Sequence, residues 1–125
     1  HVCEAIISGN LHELKVEFAK KATVCKYLVP AGYPENSSNK GKKIEIAVVP
    51  EGVKLYYSAV DQTTDGLLLS SSRAVALVGI ADTIAAAEKL AESACGSVGG
   101  PVFHRKDIGT AELIGQRVAM MESLR

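Results

Sequence analysis

Between Lys43 and Ile80 the chain runs in short stretches of alternating apolar and polar residues, joined by links of only a few residues. This pattern constrains the fold more than any other. KIEIAVV puts Ile44, Ile46 and Val48 on one side, and VKLYYSAV does the same for Val53, Leu55, Tyr57 and Ala59. A period of two is that of a strand. Pro50-Glu51-Gly52 turns the chain after the first run, and Thr64-Asp65-Gly66 is a hairpin signal between Val60 and Leu67. LLL then begins a return strand, SSSR interrupts it, and AVALVGI completes or follows it. Upstream, ATVCKYLVP (22–30) is rich in β-branched and aromatic residues and stops at Pro30, which predicts another strand. AGYPENSSNKGKK (31–43) is turn chemistry throughout. Hairpin links join antiparallel neighbours.

Helical signals flank this block. VCEAIISGN reads as the last turns of a helix stopped by Gly9-Asn10, and LHELKVEFAKKA fits helical spacing only loosely. Asp82 is the expected N-cap of TIAAAEKLAESAC, with Ile84, Ala87, Ala91 and Ala94 as its buried stripe and Gly96 as its end. Thr110 is the expected N-cap of a final helix from Ala111 to about Leu124, with Leu113, Ile114, Val118 and Met121 on its apolar face. Strands with hairpin links followed by helices predict an α+β fold, with a mainly antiparallel sheet packed by two or three helices. A length of 125 residues suits one domain over 1–125.

Composition removes several function classes. Lys plus Arg and Asp plus Glu are 14 each, so no broad field attracts nucleic acid or a membrane surface, and any anion site must be local. No apolar run approaches the roughly 20 residues of a membrane span, and the first residues, without a basic stretch and a long apolar segment, are not expected to be a signal peptide. Cys3, Cys25 and Cys95 are scattered, which predicts reduced core thiols in a cytoplasmic protein. His1, His12 and His104 lack metal-site spacing, so no metal is expected. No phosphate loop, dinucleotide fingerprint or nucleophile elbow occurs, so no catalytic residue is assigned.

Two polar stretches remain as candidates. Arg73 stands where SSSR meets an apolar strand; its guanidinium, with neighbouring hydroxyls and main-chain N–H groups, suits a phosphomonoester. In FHRKDIGT, Arg105 and Lys106 precede a helix start, whose free N–H groups favour anions, and Asp107 is placed to orient one cation. Gly32-Tyr33 is a tight turn that either approaches a ligand or merely joins strands.

Three segments, in order, carry a family resemblance: Gly32-Tyr33-Pro34, Ser72-Arg73-Ala74-Val75 followed by the Asp82-Thr83 helix start, and His104 to Gly109. Together they resemble the C-terminal domain of the phosphoribosylamine–glycine ligases (glycinamide ribonucleotide synthetases), ATP-grasp enzymes of purine biosynthesis. KATVCKYLVPAGYP and FHRKDIGT are most similar to archaeal versions. The resemblance implies a reaction in which ATP activates glycine as an acyl phosphate and phosphoribosylamine attacks it. ATP and magnesium would serve the full-length enzyme, held by an upstream core. The 125 residues would then be an inactive piece, with no cofactor of its own, that lines the cleft and binds the substrate phosphate through Arg73, Arg105, Lys106, Asp107, Gly32 and Tyr33. Where bacterial-type members carry Gly-Gly-Arg, this chain has Ser71-Ser72-Arg73. The alternative is a packing or oligomerisation module whose polar turns bind nothing.

Overall fold

The longest strand, β1 (Ala22–Pro30), sets the frame. The computed structural model describes residues 1–125. Along β1, Val24, Lys26 and Leu28 are buried while Cys25 and Tyr27 are exposed, so consecutive side chains leave opposite faces. β1 pairs antiparallel with β6 (Val75–Ala81), from Ala22 opposite Ala81 to Leu28 opposite Val75. β3 (Val53–Tyr57) and β8 (Val102–Phe103) complete a sheet of order β3-β6-β1-β8. The second sheet, β4-β5-β2-β7, contains β2 (Lys43–Ile46), β4 (Val60–Thr63), β5 (Gly66–Leu69) and β7 (Val98–Gly99). Every pairing is antiparallel, and the fold is α+β as expected.

The helices are α1 (Val2–Ile7), α2 (Ile84–Cys95) and α3 (Ala111–Ser123). α2 packs on β1 and β6. Ala87, Ala91 and Ala94 are fully buried there, and Gly79 on β6 lies beneath them. A Cβ at Gly79 would come within 2.1 Å of the Ala87 carbonyl oxygen, so the helix rests almost on the strand's main chain. The main core joins both sheets and the end of α2 through Leu28, Ile44, Leu69, Val75, Leu77, Ala94, Cys95 and Val98.

Several expectations need correction. The N-cap of α2 is Thr83, whose hydroxyl accepts from the Ala86 N–H at 3.2 Å; Asp82 instead pairs with Lys21. Ile84 is 49 % exposed and does not belong to the buried stripe. Residues 11–21 contain only a 3-10 turn at Leu11–Glu13 before β1, because Phe18 and its neighbours find nothing to pack against. β2 stops at Ile46, and Val48 points to solvent. VKLYYSAV is not one strand: at Ser58-Ala59 the chain leaves the first sheet for the second, and it returns through Ser70–Arg73. Of the cysteines only Cys95 is buried; Cys3 and Cys25 are exposed. Thr110 does cap α3, accepting from the Leu113 N–H at 3.3 Å, but the helix's apolar residues Ile114, Val118 and Met121 are uncovered. No helix is long and apolar enough to cross a membrane.

Candidate functional site: an arginine-lined cleft

The face of β1 turned away from α2 forms the floor of a cleft of about 380 Å³. Cys25, Tyr27 and Val29 come from β1, Phe103 from β8, and Tyr33-Pro34 from the turn after β1. Two cations reach it from distant parts of the chain. Arg73 sits just before β6, where its carbonyl accepts from Ala59 and the next residue's N–H binds Leu28 of β1. Those bonds fix the main chain, and the guanidinium lies 5.4 Å from the centroid of the Tyr27 ring. That placement suits a cation over an aromatic face and leaves the guanidinium edge free to donate.

Arg105 is the second cation. Its Nε donates to Asp107 Oδ1 at 3.0 Å, and a terminal nitrogen donates to Oδ2. This fork holds the Asp107 carboxyl below its ordinary range, first through the hydrogen bond and then through the arginine's charge. It also raises the Arg105 pKa for the same reasons. Of the two neighbouring cations, Asp107 pairs with Arg105. Lys106 departs from expectation: its exposed side chain is not part of the cleft lining, and what it contributes is a main-chain carbonyl. Gly32 adopts φ 89°, a conformation that favours glycine, and a Cβ there would collide with Asn36. Its role is to turn the chain so that Tyr33 lines the cleft.

Behind this cleft, on the α2 side of β1, lies a polar network. Lys26 is buried, and its ammonium donates to Glu88 Oε1 at 2.8 Å, to Glu92 Oε2 at 2.6 Å and to the Lys106 carbonyl at 2.9 Å. Three donors meet three acceptors. Burial pushes the Lys26 pKa down, but the bonds and charges of the two glutamates outweigh it, and the net shift is upward. Glu92 is held below its ordinary value, mainly by the Lys26 bond and with help from His104, whose Nε2 lies 3.1 Å from Oε2.

Glu92, Cys95 and His104 also bring their ligand atoms within 4.8 Å of one another, although the histidine spacing predicted no metal group. The donor set suits a metal poorly. The Lys26 ammonium already neutralises the carboxylate, and burial, followed by the Glu92 charge, pushes the Cys95 thiol up to about 11.

Residues 23–111 match the family described as phosphoribosylglycinamide synthetase, C domain. This chain belongs to that family. Among curated relatives, the phosphoribosylamine–glycine ligase of Methanocaldococcus jannaschii is 47 % identical over 127 residues, and that of Methanosarcina barkeri 49 % over 125. Each alignment covers 99 % of this chain but only 28 % of the relative. The chain thus spans just over a quarter of the length of the ligases it matches. The phosphoribosylamine–glycine ligase structure from Thermotoga maritima superposes with a TM-score of 0.57 at 25 % identity, covering 66 % of this chain and 20 % of that one.

In this member of the synthetase C-domain family, the sequence points to Arg73, Gly32-Tyr33 and the 104–109 segment but not to β1 itself. Tyr27 and Cys25 form the cleft floor, and Lys26 anchors the segment that carries Arg105. The signal was available. In ATVCKYLVP, a lysine shares its face with Val24 and Leu28 at period two, so a buried ammonium needing partners was legible.

Proposed function

We propose that the cleft holds the phosphate of phosphoribosylamine in a phosphoribosylamine–glycine ligase, with this chain as that enzyme's C-terminal domain. The observation that carries this reading is the convergence of Arg73 and Arg105, 32 positions apart, on one cleft with an aromatic and apolar floor. A phosphomonoester offers several anionic oxygens, and two guanidinium groups offer planar forks of donors that match them. Tyr27, Tyr33 and Phe103 give a sugar ring apolar surface. Asp107 holds one fork at a fixed angle before the ligand arrives.

The contribution to catalysis is positioning and charge stabilisation, without a nucleophile or general base from this chain. ATP and magnesium do not fit here. No carboxylate lines the cleft, Asp107 is already paired with Arg105, and no phosphate-binding loop motif occurs. Under this reading, the rest of a longer ligase in purine biosynthesis holds them and supplies ADP-forming chemistry.

Calorimetric titration with ribose 5-phosphate tests the reading. Charge-assisted bonds contribute about 1.5–3 kcal/mol each, so Arg73→Ala and Arg105→Ala are each expected to weaken binding about tenfold or more. Lys106→Ala is expected to change affinity by less than about twofold, as for an exposed charge outside the contact. Unchanged affinity in both arginine variants would reject the site.

A second reading rests on a separate observation. α3 presents Ile114, Val118, Met121 and Leu124 without cover, so this helix also suits a packing module. Light scattering across a concentration series discriminates: a monomer that binds ribose 5-phosphate favours the cleft, and a dimer that does not favours the module.

A further inference from the structure

We infer that Lys26 is a positioning residue for Arg105: it ties the main chain of the 104–107 segment to α2 and so fixes the direction from which Arg105 enters the cleft. The inference deepens the phosphate-site reading and rests on it for its consequence, though not for its geometry. The observations lie in a single strand. Tyr27 and Lys26 are neighbours on β1 and leave opposite faces, Tyr27 toward the cleft and Lys26 beneath α2. The Lys26 side chain is fully inaccessible. Two of its hydrogen bonds go to Glu88 and Glu92, four residues apart on one face of α2, and the third goes to the Lys106 carbonyl.

That carbonyl belongs to the residue between Arg105 and Asp107, the two partners of the cleft-side fork. A second tie holds the other flank. His104 reaches the same Glu92, at 3.2 Å and 3.1 Å from its two oxygens. On the far side, Gly109, at φ 82°, sits so close to β1 that a Cβ would lie 2.7 Å from Val24 Cγ1. The segment is thus pinned at residues 104, 106 and 109, and Arg105 projects from the middle of the pinned stretch.

A merely structural salt bridge would need only the glutamates. The ammonium's remaining proton is spent on the loop's main chain, and no buried side-chain nitrogen or oxygen is left without a partner. Lysine is suited to this: three donors on one compact head meet three acceptors. Because the same carbonyl is held whatever the loop's side chains do, the constraint on Arg105 exists before any anion binds. Preorganised donors lose less on binding than mobile ones.

The test has a mutation-free arm and a variant arm, both read by NMR on this chain. In the unmutated chain, the Lys26 ammonium protons are expected to give an exchange-protected signal with cross-relaxation to the main chain of residues 105–107; absence of that signal overturns the inference. The variants are Lys26→Met, and Lys26→Met combined with Glu88→Gln and Glu92→Gln so that no unpaired charge stays buried. In the folded triple variant, the Arg105 Nε–H resonance is expected to lose the dispersion and exchange protection that it keeps in a folded Glu88→Gln, Glu92→Gln variant, where the His104 tie is altered equally but Lys26 still holds the Lys106 carbonyl. The Kd for ribose 5-phosphate is expected to rise about tenfold, as a small misplacement of a binding group does. A folded variant with an unchanged Arg105 resonance and affinity within about twofold contradicts the claim. If the unmutated chain does not bind ribose 5-phosphate, the phosphate-site reading fails, and the two resonances alone decide the role of Lys26.

Discussion

At the scale of single residues, Lys26 dominates the energetics. Removing one member of a buried ion pair strands the others, so Lys26→Met alone is expected to destabilise the fold by about 3–5 kcal/mol in urea titration. Neutralising Glu88 and Glu92 as well should recover most of that loss; equal midpoints for the single and triple variants would contradict the ion-pair account. The pH dependence follows from the same bonds. Glu92 is held below its ordinary value, so its contribution is complete above about pH 4.3 and is lost as pH falls through its lower folded pKa. Lys26 is held above its ordinary value, so its contribution is complete below about pH 10.4 and is lost as pH rises through its folded pKa. The contributions of Glu92 and Lys26 should therefore be flat between about pH 5 and 10, and Glu92→Gln should shrink the acid limb. Arg73 was legible from sequence as a cation beside an apolar strand, and Arg105 as one of two cations before a helix start. Which of Arg105 and Lys106 faces the cleft was not legible, because that depends on a main-chain bond from a residue 80 positions away.

At the scale of elements, the contact of α2 with β6 is set by what is missing from Gly79. Adding one methyl there meets the helix main chain at 2.1 Å, and main chain cannot rotate away. Gly79→Ala is expected to cost at least the roughly 1–3 kcal/mol typical of overpacking, measured by thermal or urea unfolding. A wild-type midpoint would mean that the helix sits further out than the structure shows. The cap gives a second test. Thr83→Ala should cost about 1 kcal/mol, whereas Asp82→Ala removes only an exposed pair with Lys21 and should stay within about 0.5 kcal/mol. β2 and β3 were readable from periodicity, since Ile44 is buried between exposed Lys43 and Glu45, and Val53 and Leu55 are half-buried on either side of exposed Lys54; β1 was readable from its composition and its stop at Pro30. The N-cap was misplaced by one residue because Asp82 and Thr83 are both good caps, and only the tertiary partner Lys21 separates them. β7 and β8 escaped notice because two-residue strands carry no period.

At the scale of the whole molecule, the chain crosses between its two sheets at Ser58-Ala59 and again at Ser70–Arg73. The second crossing delivers Arg73 to one end of the cleft. The β7–β8 segment, lying against both sheets, delivers the 104–107 stretch to the same place. The SSSR interruption, read from sequence as a break within a strand, is thus the joint that puts a cation opposite Arg105. The antiparallel α+β class was evident in the hairpin links, but the split into two sheets was not, because period-two alternation does not say which partner a strand chooses. The central claim is that these two arginines form one site. Its most direct test follows the Arg73 and Arg105 Nε–H resonances together while ribose 5-phosphate is added. Both should move and saturate with a single Kd; if neither moves, or if each follows a Kd of its own, the two guanidinium groups do not share a ligand and the account fails.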